Sequence, residues 1–350
     1  MLSKINSSAT YGIDAYLVEV ESNVEKQIPG FIIVGLPDNA VKESRERVNT
    51  AIKNSGYELK PQKITVNLAP ADIKKEGSSF DLAIAIGLLS AHGIIKNNSL
   101  YEKVFLGELS LDGRLRAVKG ALPITVEAMR NGIKQIILPK DSSLEASIVK
   151  GIDVYGLENL KEVIDFLNGE IQMAPIRSNG DKIFSNVNKY KLDFYDVKGQ
   201  ENVKRALEVA AAGAHNIIMI GPPGSGKTML AKRFPSILPP MTFDEALETT
   251  KIHSIAGILP KDTALITERP FRSPHHTVSD AALVGGGSFP RPGEVSFAHY
   301  GVLFLDELPE FKKNVLEVLR QPLEDSKVTV SRSKLSLEFP ANFMLAAAMN

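Results

Sequence analysis

The chain of 350 residues carries 41 basic and 41 acidic side chains, so no global field draws it to nucleic acid or membrane, and any polyanion affinity has to be local. It has no cysteine, which excludes disulfides and thiolate metal sites and fits a reducing compartment. No apolar run approaches the roughly 18 to 20 residues of a membrane span, and the N-terminus lacks a secretion signal, so the expectation is a soluble, cytoplasmic protein of two domains.

Taken in order, the residues from Ala15 to Glu21 alternate apolar and polar, and Phe31 to Val34 form a second strand candidate between Gly30 and Gly35. A helix is predicted from about Asp38, with Val41, Val48 and Ile52 on one face and Gly56 as its stop. Lys63 to Leu68 reads as a strand, Phe80 to Ala91 as a buried helix, and Val104 to Arg116 as a hairpin turning at Asp112-Gly113. A helix around Ile124 to Met129, a strand from Lys134 to Leu138 and a last helix from Leu157 to Leu167 complete an α+β or α/β domain, residues 1–170. The composition of residues 171–191 (Pro, Gly, Ser, Asn and charge) suits a linker, and the second domain runs from 192 to 350, opening with a helix from about Glu201 to Ala212.

Asn216 to Ile220 is a short apolar strand that runs into Gly221, Pro222, Pro223, Gly224, Ser225, Gly226, Lys227 and Thr228, with a helix predicted from Thr228 to Phe234. Two glycines five apart followed by Lys and Thr are the phosphate-binding loop pattern. Residues without Cβ let backbone N–H groups turn in around a triphosphate, Lys227 reaches its outer phosphates, and the Thr228 hydroxyl ligates Mg²⁺. The predicted ligands are therefore ATP and Mg²⁺. A second apolar run, Gly301 to Leu305, ends in Asp306 and Glu307. Unpaired charge at the end of a buried strand is costly, which points to Asp306 as a second Mg²⁺ ligand and Glu307 as the general base that activates water. A third run, Phe343 to Met349, ends in Asn350, either a water-orienting residue or a strand-end cap.

Between loop and acidic pair, Ile255 to His299 reads as a long insertion rich in Gly and Pro, with Gly285, Gly286 and Gly287 in a row. It also holds the adjacent His275 and His276, whose side chains would point apart on a helix or a strand, which argues against a metal. After Glu307 a helix is expected to about Leu323, then a hairpin from Lys327 to Leu337. Its Lys327, Arg332 and Lys334 are the local candidates for touching DNA, against the alternative of a solvated edge protected by charge.

With these residues in view, the sequence resembles the YifB/ComM family of magnesium-chelatase-like AAA+ ATPases, from near Tyr11 to Asn350. The resemblance is carried by Arg269-Pro270-Phe271-Arg272-Ser273-Pro274-His275-His276-Thr277, by Ala282 to Gly287, by Gly301 to Phe311 and by Leu319 to Asp325. It implies an α/β architecture in two parts. The N-terminal part would be a Lon-protease-like α+β domain of the ribosomal S5 domain 2-like fold. A P-loop AAA+ module with a parallel sheet would follow, the helical lid expected after Asn350 being absent. It also implies a hexameric, ATP-hydrolysing motor that acts on branched or single-stranded DNA in homologous recombination and natural transformation. A chelatase-like or protein-remodelling ATPase is the alternative, and an ATP-dependent serine protease a third. Against the third, Leu122 stands where the resemblance would place the lysine of a Ser–Lys dyad, and Ser78 and Ser79 are read as caps of the helix that starts at Phe80.

Overall fold

The computed structural model describes residues 1–96, 99–178, 184, 190–260, 262–287, 289–332 and 335–350. The chain divides into two compact units, one of Met1–Asn179 with Gly257–Ala264 and the other of Gly180–Ala256 with Leu265–Asn350. Among the described residues no helix is long and apolar enough to cross a membrane.

The first unit is built on β1 (Leu2–Tyr11), β2 (Asp14–Glu25), β3 (Gly30–Val34), β4 (Lys63–Ala69), β5 (Lys103–Phe105), the short pair β6 (Glu108–Leu109) and β7 (Leu115–Arg116), β8 (Gln135–Pro139) and β9 (Asp153–Leu157). Seven of these form one mixed sheet in the order β3-β4-β2-β1-β5-β8-β9. The pairs β1–β2 and β2–β4 are antiparallel, and the remaining neighbours run parallel. Its helices are α1 (Asn39–Asn54), α2 (Asp81–Ala91), α3 (Ala121–Arg130), α4 (Lys140–Ala146) and α5 (Leu160–Leu167). Asp38 caps α1 by accepting the Val41 N–H at 2.7 Å, and Val41, Val48 and Ile52 turn inward together. Nearly every residue of α2 is buried, because the helix lies on β1 and β2 with α1 beside it.

Several expectations are corrected here. Leu2–Tyr11 is a strand, and its Ser7 and Ser8 are buried with their hydroxyls donating to Phe105 O and Tyr16 O. The stretch 153–157, whose last residue was expected to open a helix, is a strand. It pairs in parallel with β8, and α5 begins only after Asn159, whose side chain accepts the Glu162 N–H at 2.9 Å. The expected hairpin of 104–116 shrinks to β6–β7, because β5 pairs instead with β1 and β8. Ser78 and Ser79 do not cap α2 with their side chains: Phe80 occupies the cap position, and the Ser78 hydroxyl donates to Glu108. Of the stretch expected as a linker, Ile176 is docked through its N–H on Val154 O at 2.8 Å, while 179–183 and 185–189 lie outside the described residues.

The second unit holds α6 (Glu201–Gly213), β10 (Ile217–Ile220), α7 (Lys227–Arg233), α8 (Phe243–Ala256), β11 (Phe271–Arg272), α9 (Asp280–Val284), β12 (Gly285–Gly286), β13 (Arg291–Pro292), α10 (Glu294–Phe297), β14 (Val302–Leu305), α11 (Lys313–Glu317), α12 (Arg320–Asp325), β15 (Lys327–Arg332), β16 (Leu335–Pro340) and β17 (Met344–Met349). Four strands make an all-parallel sheet in the order β10-β17-β14-β11. Two expectations change. Ile255 lies in the last turn of α8 and Phe271-Arg272 is a strand of the main sheet, so the expected insertion includes part of the scaffold. The helix expected after Glu307 is broken into a 3₁₀ turn at Leu308–Glu310, which contains Pro309, then α11 and α12.

Two buried polar side chains of the first unit yield predictions. The Asp81 carboxylate, 0% exposed, accepts from Arg47 Nε at 2.7 Å, from Arg47 Nη2 at 3.1 Å, from the Leu109 N–H at 3.2 Å and from the Ser44 hydroxyl. It ties α1, α2 and β6 together. Asp81→Ala strands the guanidinium and is expected to cost about 3–5 kcal/mol, with Arg47→Met in the same chain restoring part of the loss, measured by urea unfolding. Lys75 is fully buried, its Nζ donating to Ile73 O at 2.7 Å, and burial pushes its pKa below the ordinary lysine value against the opposing pull of Asp72. Because the folded chain disfavours the charged form, stability is penalised below the depressed pKa and recovers as pH rises toward the ordinary value of about 10.4. Lys75→Met should raise stability at pH 7 and abolish that alkaline rise, followed by unfolding midpoints across the pH range.

Candidate active site

Parallel pairing delivers three chain segments to one edge of the second unit's sheet. Ile220 of β10 stands opposite Met349 of β17, so Gly221 and Asn350 leave the sheet side by side, the Gly221 N–H donating to Met349 O at 3.3 Å. Leu305 of β14 stands opposite Ala347, which sets Asp306 and Glu307 beside the same strand end. Clefts beyond the carboxyl ends of parallel strands are where such sheets bind ligands.

The loop from Gly221 to Gly226 turns through positive φ at Gly224 (+78°) and Gly226 (+88°), a region that side chains occupy only with strain. At its end the Lys227 ammonium donates to Gly221 O at 2.6 Å, to Pro222 O at 3.1 Å and to Asn350 Oδ1 at 2.9 Å. Thr228 Oγ1 donates to Asp306 Oδ2 at 2.7 Å, and Asp306 Oδ1 accepts the Glu307 N–H at 3.1 Å. Lys227, Thr228, Asp306 and Asn350 are thus joined pairwise across three strand ends. The Ser225 hydroxyl is buried without a hydrogen-bond partner among the described residues.

These donors suit a magnesium nucleotide. A hydroxyl and a carboxylate 2.7 Å apart are the hard oxygen ligands that Mg²⁺ takes together with phosphate oxygens. The ammonium of Lys227, satisfied by two loop carbonyls and Asn350, is poised to exchange them for phosphate. Glu307 holds φ +55° and ψ +50°, uncommon for a residue with a side chain, and its carboxylate is 60% exposed.

Gln200 was not singled out from the sequence, and His276 was noted there only as one of an adjacent pair expected to point apart. Gln200, itself in the left-handed region, donates from Nε2 to Ser225 O at 3.2 Å and so grips the loop from outside. His276 places Nδ1 3.6 Å from Glu307 Oε2. Its ring lies 4.0 Å from that of His275 and edge-on to Phe311 at 6.4 Å, so the two histidines do not point apart. They stand in the loop beyond β11, where neither helical nor strand periodicity governs direction. That strand is seated firmly: Phe271 stacks on Phe304, and Arg272 makes a two-pronged contact with Glu294 at 2.6 and 2.7 Å. A Cβ at Gly301 would fall 2.0 Å from Pro270 O, so only glycine permits this approach of β14 to the segment before β11.

The candidate DNA contacts come out differently. Lys327 Nζ donates to both Glu338 carboxylate oxygens at 3.0 Å across the β15–β16 hairpin, so its charge is locally balanced. Arg332 is defined by its backbone register opposite Leu335, and Lys334 lies outside the described residues. The hairpin is not a freely solvated edge, since Val328, Val330, Leu337 and Phe339 are buried, and a Cβ on Gly285 would meet Val330 at 3.1 Å. In the first unit Leu122 is fully buried and apolar, and the Ser78 hydroxyl donates to the Glu108 carboxylate.

Comparison with known proteins fits this geometry. The family model described as magnesium chelatase, subunit ChlI, matches residues 193–350, and a second, described as subunit ChlI of Mg-chelatase, matches residues 20–142. The competence protein ComM of Haemophilus influenzae is 45% identical over 354 aligned residues, covering 100% of this chain and 68% of its own length. The uncharacterized protein YifB of Escherichia coli is 45% identical over 349, with 100% and 68% covered. Lon protease 2 of Bacillus subtilis is 31% identical over 159 residues, 41% of this chain and 27% of its own. With phosphate loop, acidic strand end and full-length identity in agreement, the chain belongs to the YifB/ComM family of magnesium-chelatase-like AAA+ ATPases.

Proposed function

We propose that this chain binds and hydrolyses ATP with Mg²⁺ and uses the cycle to drive a hexameric cytoplasmic motor on branched or single-stranded DNA, as in branch migration during recombination. The observation that carries the ATP part is the convergence of Lys227, Thr228, Asp306 and Asn350 at one sheet edge, with the Thr228 to Asp306 bond at 2.7 Å and the Lys227 to Asn350 bond at 2.9 Å.

In this reading the loop N–H groups and Lys227 hold the phosphates, and Thr228 and Asp306 hold the metal. Bound Mg²⁺ supplies charge neutralisation on the phosphoryl oxygens. Glu307 accepts a proton from the attacking water, and Asn350 orients that water from the neighbouring strand. The DNA part is supported by the family and by a relative named as a competence protein. The hairpin of Lys327, Arg332 and Lys334, seated against the glycine hairpin β12–β13, is the element proposed to meet the substrate. A second reading, remodelling of a protein partner, draws on the pairing of Lys327 with Glu338, which lowers the positive field of that hairpin.

Two outcomes follow. Glu307→Gln should keep nucleotide binding and lower turnover by about 10²- to 10⁴-fold, the range for loss of a general base, whereas Lys227→Ala should weaken binding itself by about tenfold to a hundredfold. A fluorescent ATP analogue and a phosphate-release assay separate the two. A labelled four-way junction should bind in the presence of a non-hydrolysable ATP analogue and lose affinity steeply with salt, as counterion release requires. Turnover that responds to a protein partner and ignores branched DNA would decide for the second reading.

A further inference from the structure

The seven-stranded sheet of the first unit ends on one side at β3, and no strand among the described residues pairs with its outer edge. The Gly30 N–H donates to Gln62 O, toward β4, and Gly30 to Val34 run in unbroken parallel register with Lys63 to Asn67. Successive residues of a strand turn their backbone polar groups to opposite sides, so the N–H and C=O of Phe31 and Ile33 face the open edge. Natural edges are usually blunted by a lysine, a proline or a bulge. Gly30 to Val34 has none of these, and Ile32 and Val34 are half exposed. Beyond Val34 the edge closes, since the Lys75 N–H donates to Leu36 O and the Asp38 N–H to Lys75 O. The opening is therefore one short strand long.

Beside this edge lies a cleft of about 400 Å³, walled by β3, the second half of α1 and the loop 57–62. Phe31, Ile52 and Tyr57 give it an apolar lining. Its charge is mostly positive, with Arg45, Lys53 and Lys60 set against Glu58. Arg45 also meets its neighbour Glu46, Nε to Oε1 at 3.2 Å, a surface contact that a better-placed acid can displace. Arg45 and Lys53 stand two turns apart on α1, about 12 Å along the axis, and four residues of an extended chain cover about 13 Å.

We propose that β3 and this cleft form a docking site for an extended acidic peptide of a partner protein, which joins the sheet as a further strand. Its backbone pairs with Phe31 and Ile33. Two acidic side chains four residues apart on one face reach Arg45 and Lys53, and an apolar side chain between them covers Phe31 and Ile52. A second copy of this chain fits less well, because two β3 edges joined about a twofold axis would bring like-charged rims together. A nucleic acid strand would use the rim and leave the backbone edge unpaired. The site lies wholly in the first unit and does not rest on the hydrolytic reading.

The test is fluorescence anisotropy of labelled peptides on the full-length protein, with melting temperatures for each variant. The probe is acetyl-Ser-Thr-Glu-Thr-Val-Thr-Glu-Thr-Ser-amide. It is compared with the same peptide carrying lysine for both glutamates, and with two N-methylated forms, one for each alternate set of amides. The lysine peptide should bind at least about tenfold more weakly, Arg45→Glu and Lys53→Glu should each weaken the probe about three- to tenfold, and Glu58→Gln should tighten it about twofold. At least one N-methylated form should lose about tenfold, because methylation removes the donors that pair with a strand edge. If a charge-reversal variant melts early, Glu58→Gln carries the charge test without loss of fold. Equal affinity for the glutamate and lysine peptides, undiminished binding of both N-methylated forms, or no binding below about 1 mM overturns the proposal. Labelled oligothymidine that Arg45→Glu weakens, with the glutamate peptide unaffected, assigns the rim to nucleic acid and overturns it as well.

Discussion

The parallel ladder of β10, β17, β14 and β11 is the constraint on which the candidate site depends. In a parallel sheet every strand points its carboxyl end the same way, so residues far apart in sequence leave the sheet along one edge. The hydrogen bond from Thr228 to Asp306 and that from Lys227 to Asn350 are consequences of this register: each closes the gap between a loop and a neighbouring strand end. If β14 slipped by one residue, Asp306 would turn to the other face of the sheet and the hydrogen bond from Thr228 would be lost.

Much of that site could be read from the residues because its signals are local. Gly221 to Thr228 is contiguous, Asp306 and Glu307 close an apolar run, and Asn350 closes another. What could not be read is what depends on pairing. β11 has two residues and no periodicity, so nothing in Phe271-Arg272 distinguished a sheet strand from insertion, and His276 carried no sign of its neighbour until β11 was registered beside β14. Gln200 was equally silent, since a left-handed backbone at a residue with a side chain leaves no mark in composition.

The first unit shows the complementary failure. β1 was missed because Ser3, Ser7 and Ser8 fill buried positions that an apolar pattern would have marked, and the Ser7 and Ser8 hydroxyls are satisfied by backbone carbonyls that only the folded sheet supplies. β9 was missed, and its last residue, Leu157, was taken for the start of the following helix, because Asp153 to Leu157 is separated from the helical pattern of α5 by only a short turn. In contrast α1 was legible end to end, with Asp38 at its start, three apolar residues on one face and Gly56 at its stop, all independent of tertiary context.

One strand described above carries more than its composition promises. Between Met344 and Met349, β17 presents Ala346, Ala347 and Ala348 in a row, flanked by β10 on one side and β14 on the other, with α7 packed on it. A layer one methyl thick separates the helix that begins with Lys227 from the strand that leads into Asn350. The aperture of the candidate site is therefore gauged by side chains with no polar atom, acting as shims between the segments that carry the polar groups. A larger residue there would leave every charged group intact and still spread the jaws of the cleft, so part of the geometry of the candidate site is written in the smallest side chains that the strand has.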